Sequence, residues 1–121
     1  MGWRWGAALG ALGVMLGAFG AHGLKAFVDD PHRLEIWDTA ARYHLVHAVA
    51  ILAVAAHPRR PRAPAVLFAV GIGIFSGSLY LLALTGVTWL GAITPIGGLS
   101  LIAGWIALAL SDPAQPAKAD G

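Results

Sequence analysis

The stretch WDTAARYHLVHAVAILAVAAHPRRPRAP, residues Trp37–Pro64, decides the fold. It carries Arg42 and two histidines near its start, runs apolar to Ala56, then breaks into three prolines and three arginines within residues 57–64. Prolines stop a helix from continuing through such a segment. Arginines between two apolar runs mark an aqueous connector joining two membrane-crossing helices.

The same pattern recurs on both sides. Apolar spans lie at about 3–24, 38–57, 64–85 and 89–110, each near the roughly 20 residues that cross hydrocarbon. The 121-residue chain is 58% hydrophobic and 12% charged, against roughly 25% charged residues in soluble domains, and its mean hydropathy is +0.71. The first span is too long for the apolar region of a signal peptide. The expected fold class is all-α, a four-helix transmembrane bundle forming one domain over residues 1–111. Its helices are expected at about 3–24, 31–57, 64–85 and 89–110, with a disordered tail at 112–121. The second helix is drawn back to Pro31 because DDP supplies an N-cap followed by proline at the first helical position.

Arg4, Arg59, Arg60, Arg62 and Lys118 fall on one side of these spans. Lys25 and Arg33 fall on the other, beside Asp29, Asp30, Glu35 and Asp38. The positive-inside rule then places both termini and the arginine connector in the cytoplasm. The lipid bilayer is the expected partner. The formal charge of +2 comes largely from one connector and does not form a nucleic-acid surface. The absence of cysteine excludes disulfides, thiolate chemistry and cysteine-ligated metal.

Gly6, Gly10, Gly13, Gly17 and Gly20 alternate four and three residues apart along the first span. That spacing keeps all five on one stripe, where close backbone approach replaces the hydrophobic effect that lipid cannot supply. The third span offers a matching small face, Ala69, Gly73, Ser76 and Gly77. Such glycine-rich faces also suit a homo-oligomer.

Polar residues are segregated. Because adjacent spans run antiparallel, His22, Tyr43, His44, His47, Ser76, Tyr80 and Thr94 all fall within roughly 15 Å of the end opposite the arginine connector, at 1.5 Å of rise per residue. His44 and His47 are expected to hydrogen-bond across helices to Ser76, Tyr80 or the Thr94 region, since lipid satisfies no polar atom. Arg42 points about 160° away from His44 at 100° per residue and pairs with Asp38 in the favourable i,i+4 order. Two or three histidines without an inward carboxylate do not make a metal site. In ITPIGG, Pro95 either kinks a continuous fourth helix or starts one, with Thr94 as its cap. The kink is the expectation.

GAFGAHGLKAF (17–27), WDTAARYHLVHAVAIL (37–52), FSGSLYLLALTG (75–86) and LGAITPIGGLSLIAGW (90–105) together resemble the small bacterial membrane proteins grouped as domain-of-unknown-function 423. The resemblance spans about residues 5–108. It implies a four-helix protein of the bacterial cytoplasmic membrane with no agreed activity, so no catalytic residue, metal or cofactor is carried over. Its motif positions here are Gly20, His22, Gly23, Trp37, Tyr43, His44, His47, Ser76, Gly77, Tyr80, Thr94, Pro95 and Gly97. The functional expectation is a non-enzymatic membrane protein whose polar cluster packs helices or holds a small ligand. The alternative is a subunit of an oligomeric small-molecule or proton-linked transporter or channel.

Overall fold

The computed structural model describes residues 2–111, and the expected disordered tail lies outside them. Among the described residues, four helical spans are long and apolar enough to cross a membrane, the fourth running Thr88–Ala109 with a 3₁₀ segment ahead of its α-helix. No strand occurs among the described residues. We denote the helices α1 (Gly2–His22), α2 (Pro31–Ala56), α3 (Arg62–Thr85) and α4 (Thr94–Ala109).

Local chemistry sets their ends. At the start of α2 the Asp30 side chain accepts from the His32 N–H at 3.0 Å, and Pro31 occupies a first-turn position where no donor is lost. Pro61 precedes α3, and Pro64 sits in its first turn for the same reason. Gly86, at φ 73°, closes α3 in the left-handed region, and its N–H bonds Leu82 O at 2.8 Å. The Arg33 guanidinium reaches across from α2 to cap the same end, donating to Ala83 O at 2.9 Å and Leu84 O at 2.7 Å. Those last-turn carbonyls have no intrahelical donor, and they carry the negative end of the helix dipole.

α3 is not a uniform α-helix, because Ile72–Ser76 takes the wider π form. α4 corrects the sequence expectation. It is not a continuous helix kinked at Pro95; Thr88–Ala92 forms a 3₁₀ segment and the α-helix begins at Thr94, with Ile93 as its cap. Proline in the first turn costs no hydrogen bond, whereas a mid-helix kink would lose one.

α1 packs chiefly on α2, α2 on α3, and α3 on α4. The five-glycine ladder therefore meets α2 rather than the third span. A Cβ at Gly6 or Gly13 would sit 2.8 Å from Leu52 or Leu45, and one at Gly10 or Gly17 would touch Ala48 or Ala41. Two apolar clusters result. One gathers Ile51, Val54, Phe68, Ile72 and Leu101, and the other Leu24, Val28, Trp37 and Ala83. Along α2, His44 and His47 lie between them. Asp38 and Arg42 form their ion pair on the exposed side of α2, where it contributes little to stability.

Candidate functional site

His44 and His47 are 2% and 5% exposed, and they use different neighbours. His44 bridges α1 and α3, with Nε2 2.8 Å from Leu9 O and Nδ1 2.9 Å from the Tyr80 hydroxyl. A carbonyl only accepts, so Nε2 carries a proton, and with the ring neutral the Tyr80 O–H donates to Nδ1. His47 is the reverse. Its Nδ1 lies 2.7 Å from Tyr43 O and therefore donates, while Nε2 accepts from the Trp105 indole N–H at 2.9 Å. The neutral imidazoles thus hold opposite tautomers, each fixed by its partners.

The Ser76 and Ser78 hydroxyls are also committed. Ser76 donates to Ala40 O at 2.8 Å, tying α3 to α2. Ser78 donates to Phe75 O at 3.0 Å, and its hydroxyl lies 2.6 Å from that of Thr94, which also reaches Leu90 O at 3.4 Å. Trp37 donates to Leu16 O at 2.8 Å, and Ser100 to Leu67 O at 2.8 Å. Among the described residues, no buried side-chain nitrogen or oxygen lacks a partner. Every helix pair in contact is crossed by at least one such bond.

Of the seven residues singled out by sequence, the structure joins His44 to Tyr80 directly and seats Ser76 beside α2. Thr94 bonds Ser78 rather than a histidine. His22 lies apart, exposed and bonded to Ala18 O on its own helix at 3.1 Å. Tyr43 is 43% exposed, its ring stacked 10° from the His47 plane and packed on Phe75. Trp105 and the Leu9 carbonyl were missed. An indole N–H at membrane depth finds no acceptor in lipid, which is the signal that would have found Trp105; a backbone carbonyl has no sequence signature. Among the described residues no group of three or more His, Asp or Glu is gathered as metal ligands would be.

Residues 16–98 match the family model described as a protein of unknown function, DUF423. The chain belongs to this family. DUF423 relatives cover nearly its whole length. It is 42% identical to the UPF0382 membrane protein YwdK of Bacillus subtilis (strain 168), over 88% of this chain and 90% of the relative. It is 44% identical to the UPF0382 membrane protein SAB0533 of Staphylococcus aureus, over 85% and 90%. A fission-yeast protein, UPF0382 membrane protein C1782.12c of Schizosaccharomyces pombe, is 42% identical over 85% and 93%. The DUF423 layout is thus not confined to bacteria, and the yeast relative is no more distant than the Bacillus one. No solved structure matches the chain.

Proposed function

We propose that this DUF423 protein is a non-enzymatic component of a bacterial cytoplasmic membrane, with both termini and the arginine connector in the cytoplasm. Its imidazoles fasten helices rather than hold a ligand. One observation carries this reading: both nitrogens of His44 and of His47 already have fixed partners on other helices or on the backbone. A ligand would have to displace those bonds. The orientation draws on charge. Arg4, Arg59, Arg60 and Arg62 lie at one end, against Lys25, Arg33 and the Asp38-paired Arg42 toward the other.

The test is a double-mutant cycle on His44 and Tyr80. His44→Leu strands the Tyr80 hydroxyl, and Tyr80→Phe strands His44 Nδ1. Each is expected to lower stability in detergent by about 1–2 kcal/mol. The double variant, with both polar atoms gone, is expected to lose less than the sum of the two. A double variant of native stability that behaves in cells like a deletion would reject the fastener role.

A second reading, an oligomeric transporter or channel subunit, rests on Gly73 and Gly77. They lie one turn apart on α3, and nothing lies within 4 Å of where a Cβ would stand at either. Four short helices enclose no pore, so this reading requires self-association through such a face. The chain contains no cysteine, so Gly73→Cys introduces a sole thiol. Membranes holding that variant are expected to yield a disulfide dimer on mild oxidation. A monomer under those conditions removes the reading.

A further inference from the structure

At the arginine-connector end, α1 and α3 stand apart on either side of α2 and leave a groove of about 780 Å³. Its floor is apolar, Ile51 and Val54 on α2, and Ala69 and Val66 extend its wall along α3. Its mouth carries Trp5, Arg60 and Arg62. The two arginines are exposed, and all four carboxylates among the described residues lie at the far end of the bundle. Arg60 holds a left-handed backbone, φ 45°, that only glycine and short polar residues adopt readily.

Two features identify the occupant. The groove runs from the arginine level down between helices that face hydrocarbon, so an alkyl chain is the solvent it meets there. Its mouth offers two guanidinium groups, which match a phosphate diester in bidentate geometry, at the depth where tryptophan marks the headgroup layer. The volume lies within the range of small-molecule sites. We infer that this groove is a specific site for one anionic phospholipid, an acyl chain lying on Ile51 and Val54 and the phosphate held by Arg60 and Arg62.

Native mass spectrometry of the full chain in neutral detergent tests this, with phosphatidylglycerol and phosphatidylcholine of identical acyl chains as probes. One phosphatidylglycerol per chain is expected, held in preference to phosphatidylcholine. Arg60→Asn, which tolerates the left-handed backbone, combined with Arg62→Gln is expected to weaken it about twenty-fivefold, two surface arginines contributing about fivefold each. Val66→Trp, which fills the groove from an exposed position, is expected to do the same. Arg4→Gln, at the same end but outside the groove, is expected to leave binding intact. Each variant's unfolding temperature without lipid serves as the folding control.

Equal binding of the two lipids overturns the site. So does an Arg4→Gln loss as large as that of the arginine pair, which would mean diffuse attraction. Unchanged binding in Val66→Trp removes the groove, and equal protection by inorganic phosphate at the same concentration removes the acyl chain. A dimer in place of the lipid adduct assigns the face to a second copy and overturns the proposal.

Discussion

Gly97→Ala is expected to be among the most damaging single substitutions in the chain, lowering stability by about 3 kcal/mol or more. A Cβ at this position would stand 2.7 Å from Phe75 Cα and 2.9 Å from Ile74 C. Those are backbone atoms of α3, so no side-chain rotation relieves the overlap, and the helices must separate. The contact falls where α3 takes its π form, Ile72–Ser76. Gly98→Ala is the control, because its Cβ would meet only the Phe75 ring, at an ordinary 3.6 Å. There the higher helix propensity of alanine makes the change neutral or stabilising. Thermal unfolding in detergent compares the pair, and similar midpoints for the two would refute a backbone contact at Gly97.

Trp37→Ala is the second. Trp37 is 3% exposed, packs edge-on against Phe19 at 5.5 Å and at a tilt against Tyr80 at 4.6 Å, and donates to Leu16 O. It joins α1, α2 and α3 at one level. Truncation is expected to cost about 3–5 kcal/mol. Trp37→Phe keeps the ring contacts and loses only the indole bond, so about 1 kcal/mol is expected. Gly20 gives a further check. A Cβ there would collide with the indole, Nε1 lying 2.6 Å away. Gly20→Ala is therefore expected to destabilise the native chain but not the Trp37→Ala background. Additive effects of the two changes would show that Gly20 and Trp37 do not share this contact.

The four spans were legible because crossing hydrocarbon fixes both length and composition. The Asp30–Pro31 start of α2 and the Asp38–Arg42 pair were legible because they depend on neighbours within one turn or so. Partner choice was less so. The period of the α1 glycines was readable, but Ala69, Gly73 and Gly77 offered as good a counterpart as Ala41 and Ala48. Side chains of α2 that fill the glycine notches, Trp37 at Gly20, Leu45 at Gly13 and Leu52 at Gly6, decide for α2. Depth of the polar residues was readable, whereas their azimuth across helices was not. Hence His44 meets Tyr80, whereas His47 meets Trp105 rather than Ser76, Tyr80 or Thr94, and His22 and Tyr43 turn away. At Pro95 both forms fit the local sequence, and the helix start that keeps every hydrogen bond prevails. Nothing in IGIFS marks the π turn, a form that has no residue signature.

The opposed tautomers of His44 and His47 bear on conduction. A hydrogen-ion wire needs members that receive on one side and release on the other. Here each imidazole spends its only N–H on a peptide carbonyl, Leu9 for one and Tyr43 for the other, and a peptide oxygen hands nothing onward. As held here, neither ring aims its N–H at the other.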